Sequence, residues 1–159
     1  MTAAILANAA IVLATVAAME VAAGAIHRHV MHGWGWGWHR SHHEPGGSAL
    51  EVNDLYALAF AAISLCFFTL LADLWAGFWW VGVGTLVYGI LYALVHDGLV
   101  HRRFPFLPVP RSGYLKRLVQ AHRMHHAVRG REGAVSFGFL YAPPVSRLRG
   151  QLKGPAEVQ

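Results

Sequence analysis

Ten of the eleven histidines in this chain fall into two copies of one spacing pattern. The first copy is His27-x4-His32 followed by His39-x2-His42-His43. The second is His96-x4-His101 followed by His122-x2-His125-His126. Each triplet sits in a His-Arg-x-His-His run, and only the spacer inside each copy differs. On a helix, residues i, i+3 and i+4 share a face, so the triplet should aim three imidazoles at one point. The H-x4-H pair is separated by about 140° on an ideal helix, which suits a helix end or a bulge. Imidazole serves zinc, copper, iron and nickel. A structural zinc site takes four ligands, and ten histidines exceed one such site. Two metals with mostly nitrogen ligands and open positions for oxygen fit better. Iron is the redox-active choice that can activate dioxygen beside lipid. His29 breaks the spacing and reads as a surface or satisfied core residue.

Acidic residues near the pattern have several readings. Glu20 lies in an apolar run, where a carboxyl is costly and marks a functional site by default. Seven residues before His27, it shares that helix face. It is either an acceptor for a ligand N–H outside the coordinating set or a structural carboxyl in a bundle interior. Asp97, beside His96, is the other candidate for supporting a ligand. Asn53-Asp54 reads as a helix N-cap.

The elements that must position these residues are apolar. The 159-residue chain is 55% hydrophobic and 13% charged, against about 25% charged in a soluble domain. Runs at about 3–26, 55–72 and 74–95 are long enough for transmembrane helices, and the last two form a hairpin turning at Asp73. The first is too long, and lacks the basic leader, for an ordinary signal peptide. The expected fold is an all-α integral membrane protein. Residues 1–150 form one domain with three spans and a histidine-lined cap of amphipathic helices, and 151–159 form a flexible tail. The apolar stretch 133–145 is short and reads as interfacial or re-entrant, with a fourth span left open. All thirteen Lys and Arg residues lie within 28–40 or 102–153, which places both histidine copies on the cytoplasmic side. Three spans bring them to the same face, where two or four would not. The charge of +5 is then a topology and headgroup signal, not a nucleic-acid surface. Trp34, Trp36 and Trp38, and Trp75, Trp79 and Trp80, mark the two interfaces; substrate contact by the first trio is the less favoured reading.

The segment 112–130 fits an amphipathic helix, with Ser112 to cap it and Gly130 to end it. His122, His125 and His126 continue the apolar stripe of Leu115, Leu118 and Val119. Cys66, in an apolar run, can make neither an intrachain disulfide nor a cluster site alone. Neither a G-x-x-x-x-G-K-[ST] nor a G-x-G-x-x-G nucleotide motif occurs.

These boxes resemble the membrane fatty-acid hydroxylase superfamily. Met31–His39, Glu51–Tyr56, His96–His101, Ala121–Ala127 and Val135–Pro144 are similar, more closely, to the bacterial β-carotene hydroxylases, with no departure at any box histidine. The resemblance spans Met19 to about Leu148. It implies a non-haem di-iron oxygenase of the bacterial inner membrane. Its two irons would be held by His27, His32, His39, His42, His43, His96, His101, His122, His125 and His126. The implied reaction hydroxylates C3 of a carotenoid β-ionone ring, using dioxygen and an external, ferredoxin-type electron donor. Ketolated carotenoids are further implied substrates. The histidine boxes alone leave open a carotenoid ketolase, a fatty-acid hydroxylase or a desaturase. A metal transporter or store would instead place ligands near the bilayer midplane.

Overall fold

A computed structural model describes residues 1–44 and 50–152. Its regular structure is all helical, with no strand among the described residues. In chain order the elements are α1 (Thr2–Ile26), a π-helical turn π1 (His27–Trp34), α2 (Trp36–His43), α3 (Asp54–Thr69), α4 (Gly77–Tyr92), a second π-helical turn π2 (Ala93–Val100), α5 (Gly113–His126) and α6 (Val145–Gln151).

Two helices are long and apolar enough to cross a membrane: α1 with π1, 33 residues, and α4 with π2, 24 residues. At 1.5 Å per residue α1 alone is about 37 Å long, against a hydrocarbon core of about 30 Å. Its histidines therefore begin where the apolar helix has already covered the core. α3 is apolar but only 16 residues long, shorter than the run expected at 55–72. It stops at Thr69 because the N–H groups of Leu70 and Leu71 both reach the Cys66 carbonyl, which closes the helix into a turn. The hairpin connection therefore covers 70–76 rather than Asp73 alone.

Small residues set how closely these helices pack. α4 sits between α1 and α3. A Cβ on Gly84 would lie 2.5 Å from Thr15 Cβ and 3.0 Å from the Val12 carbonyl oxygen, so α1 and α4 touch backbone to backbone. Gly82, on another face of α4, meets the Phe68 ring, and its carbonyl accepts from Ser64 Oγ at 3.2 Å. Between apolar helices in lipid there is little hydrophobic drive, and such close approach supplies the packing.

Below the spans, α5, α6 and the connection 127–144 close a second core of Val95, Leu118, Ala121, Val135, Ala142 and Leu148. Leu148 is 1% exposed; burying such a side chain contributes about 1.5–3 kcal/mol. α6 docks on this core through Leu148. The expected tail at 151–159 lies mostly outside the described residues. Residues 127–144 carry no helix, so no helical fourth span forms at 133–145; Val135, Phe139 and Ala142 are buried there instead. α5 starts after Ser112 without a side-chain cap bond and ends at His126, short of Gly130.

Gly84→Val should destabilise the fold by about 1–3 kcal/mol through overpacking against α1. Thermal unfolding in detergent measures this, and an unchanged midpoint would contradict the close α1–α4 contact.

Candidate metal centre

The first H-x4-H pair lies within π1; in the second, His96 lies within π2 and His101 caps it. The i→i+5 hydrogen bonds of such a turn bring residues five apart onto adjacent turns. The His101 N–H donates to the His96 carbonyl at 3.0 Å, and the Gly35 N–H to the Val30 carbonyl at 2.8 Å. His27 and His32 thereby bring their ring centroids to 5.2 Å, and His96 and His101 to 4.5 Å. An ordinary α-helix would have splayed each pair.

The triplets behave differently from the expected single point. Steps of about 100° put i+4 roughly 40° from i on one side and i+3 about 60° on the other. Thus i pairs with i+4, and the i+3 imidazole is free to reach elsewhere. The ligand atoms of His27, His32, His39, His43 and His125 lie within 4.8 Å of one another, and so do those of His42, His101, His122 and His126. His42 has left its own copy for the second cluster, and His125 has crossed to the first. His96 borders the second cluster, its Nε2 3.0 Å from His42 Nε2. The clusters abut, with the His43 and His126 rings stacked at 4.4 Å. His29 is exposed and belongs to neither.

What fixes the rings is the other nitrogen. His27, His32, His43 and His125 each donate Nδ1–H to a backbone carbonyl, those of Phe137, Arg131, Val128 and Val135, at 2.8–3.0 Å. A carbonyl only accepts, so each of these rings carries its proton on Nδ1 and a bare lone pair on Nε2. His39 donates to Asn53 Oδ1 at 2.7 Å, His42 to Glu51 Oε2 at 2.7 Å, and His96 to Asp97 Oδ1 at 2.8 Å. The bare nitrogens then face each other: His32 and His125 at 3.1 Å, His27 and His39 at 3.0 Å, His43 and His125 at 3.1 Å. Lone pair against lone pair at that distance is repulsive unless a cation sits among them. The donor set therefore fits metal ions, one per cluster.

Burial keeps the ligands neutral, as coordination requires. It pushes His39 and His101 down to about 3, His43 to about 4 and His126 to about 2, with neighbouring imidazoles adding to the effect. His122 and His125 are held well below the usual histidine range by the same cause. The Glu51 carboxyl is lowered, first by the hydrogen bond from His42.

Four acids and an amide sort themselves by these contacts. Asp97 supports His96 directly. Glu20 makes no hydrogen bond to an imidazole, which corrects one of its two readings. Its oxygens accept from the N–H groups of Phe139, Leu140 and Tyr141 at 2.9–3.0 Å and from Tyr88 Oη at 2.9 Å. It pins the loop whose Phe137 carbonyl orients His27. Glu51 and Asn53 are additions that the spacing argument missed. Asn53 makes no cap bond and holds His39, while Asp54 Oδ2 accepts from the Glu51 N–H at 2.9 Å, as in a capping box. The signal was an acid, an amide and another acid before a helix that needs only one cap. Ser136, between the two carbonyls that orient His125 and His27, sits at φ 60°, a conformation costing an ordinary residue about 1–3 kcal/mol and concentrated at functional sites.

A fatty acid hydroxylase family model matches residues 12–144, which include every histidine discussed. The chain belongs to the fatty acid hydroxylase family. Among curated proteins of the family it is 60% identical over 149 residues to the beta-carotene hydroxylase of Pantoea ananas, covering 92% of this chain and 83% of that protein. It is 56% identical over 144 residues to the beta-carotene hydroxylase of Paracoccus sp. (strain PC1), covering 90% and 89%. The chloroplastic beta-carotene 3-hydroxylase 2 of Arabidopsis thaliana is 37% identical over 129 residues, 79% of this chain and 42% of that one. No solved structure matches.

The crossed triplets make a sharp prediction. His42→Ala and His122→Ala should deplete the same one of two bound metals, and His125→Ala and His27→Ala the other, while His29→Ala depletes neither. Metal analysis with site-resolved spectroscopy reads this. His42→Ala and His27→Ala perturbing the same metal would contradict the exchange.

Proposed function

We propose that this chain is a membrane di-iron monooxygenase that hydroxylates C3 of the β-ionone ring, taking β-carotene to β-cryptoxanthin and then zeaxanthin. The observation that carries the reading is an apolar cavity of about 320 Å³ between α1, α3 and α4, lined at one end by rings that stack on the histidines. Met19, Ala23, Phe60 and Leu86 line its length, and Tyr92, Asp97 and Phe139 its end. The Tyr92 ring stacks on His96 at 4.5 Å, and the Phe139 ring on His27 at 5.1 Å. Its polar side chains are largely turned away: Ser64, Thr85, Tyr56 and Tyr88 spend their hydroxyls on the Gly82, Val81 and Gly35 carbonyls and on Glu20. Such a space accepts a hydrocarbon ring and excludes water. A polyene longer than the cavity would keep its remainder in lipid. The naming of the bacterial relatives supports a carotene as that hydrocarbon.

Two irons held by the ten box histidines would supply dioxygen activation and attack on an unactivated C–H bond. The chain's part is to present neutral Nε2 donors from both clusters, hold them by their Nδ1 bonds, and seat the ring end beside Tyr92 and Phe139. The two electrons would come from an external, ferredoxin-type donor. Residues 1–150 would act as one domain, with α3 and its flanks completing a third span and 151–159 a flexible tail. The histidine cap would then face the cytoplasm at the bacterial inner membrane, consistent with basic residues after the first and third apolar runs. Membrane lipid would surround the spans, and nucleic acid is not a partner.

In a β-carotene-accumulating bacterium, expression should yield β-cryptoxanthin and zeaxanthin by pigment chromatography. His122→Ala should abolish both, and near-normal zeaxanthin from that variant would sink the ligand assignment. Ala61→Phe, which narrows the cavity away from the histidines, should lower conversion roughly 10-fold or more while leaving metal content intact. Unchanged conversion would remove the cavity from the mechanism.

A further inference from the structure

We infer that Glu51 and Asp97 make the two clusters electronically unequal, so that the metal bound beside His42 and His96 is the more electron-rich and is oxidised first. The inference rests on the di-iron reading above and concerns what stands behind each imidazole. In the first cluster every identified acceptor is uncharged: the carbonyls of Phe137, Arg131, Val128 and Val135 and the amide oxygen of Asn53. In the second, His42 and His96 donate to carboxylates, Glu51 and Asp97, at 2.7 and 2.8 Å.

An imidazole whose N–H is drawn toward a carboxylate becomes a more basic donor through its other nitrogen. It passes more electron density to the metal and favours the higher charge there. The surrounding charges do not cancel this. Arg103 lies 3.4 Å from Glu51 Oε1 and 2.8 Å from Asp54 Oδ1. One guanidinium therefore faces three acidic side chains, Glu51, Asp54 and, further off, Asp97, too few positive groups to match them. On the other side, Glu20 touches no imidazole. It reaches the first cluster only through the 137–139 backbone, its charge already bound by three N–H groups and the Tyr88 hydroxyl. The pairing of anionic supports with one cluster also follows from the crossing of His42. Had His42 stayed with His39 and His43, each metal would have had one carboxylate-backed ligand.

The test is stepwise oxidation of the iron-57-loaded, full-length protein in detergent with ferricyanide, followed by Mössbauer spectroscopy. Each ferricyanide takes one electron from one ferrous ion, leaving a ferric ion and ferrocyanide. Glu51→Gln and Asp97→Asn keep an oxygen for the Nδ1–H while removing the charge, and Asn53→Asp adds a charge behind His39. In the unsubstituted protein one ferrous signal should convert before the other. That signal should be the one shifted by Glu51→Gln and by Asp97→Asn, each of which should also weaken retention of that iron alone by roughly 10–100-fold. Asn53→Asp should shift the other signal and narrow the gap between the two. Equal conversion of both irons, or first conversion of the signal that answers only to Asn53→Asp, would overturn the inference and leave the di-iron reading standing. A protein that holds no iron pair would overturn both.

Discussion

The structure depends on the direction of a proton. In at least seven imidazoles the Nδ1–H is committed to an oxygen outside the cluster, which leaves Nε2 bare and pointing inward. Such an arrangement of converging lone pairs is unstable without a cation and gives a cation an almost ready-made shell. Much of the lower half of the molecule can be read as a means of supplying those oxygens. The irregular segment 127–144 delivers carbonyls from Val128, Arg131, Val135 and Phe137. Glu20 in α1, α6 through Leu148, and the strained backbone at Ser136 hold that segment in place.

The helices contribute register. The π-turns turn two H-x4-H pairs inward, and the ordinary helices α2 and α5 each split a triplet between two centres. Neither cluster can assemble from one half of the chain. Formation of either therefore demands that the end of α1 and the end of α4 already lie side by side, which Gly84 permits by letting α1 and α4 close together. The apolar cavity between the same helices is a consequence of that geometry, and its inner end rests on the rings of His27 and His96 through Phe139 and Tyr92.

A good part of this was legible in the residues. The repeated spacing picked out the ten histidines that the fold gathers and set aside His29. Asp97 could be found because it adjoins its histidine. The assignment of three imidazoles per triplet to one point was not sustained, because a shared helix face is about 100° wide between i+3 and i+4 and two centres can divide it. Glu51, Asn53 and the loop carbonyls were out of reach for another reason. Their partners lie 9–110 residues away in sequence, and backbone acceptors leave no mark in residue type. The second apolar run looked long enough to span, yet α3 stops at Thr69, where the turn into α4 takes the last leucines.

Iron K-edge X-ray absorption on the purified, iron-loaded chain tests the central claim most directly. The account predicts two irons per chain, a first shell dominated by nitrogen, and the multiple-scattering pattern of several imidazoles at both irons. A single iron per chain, or a shell dominated by oxygen with few imidazoles, would contradict it.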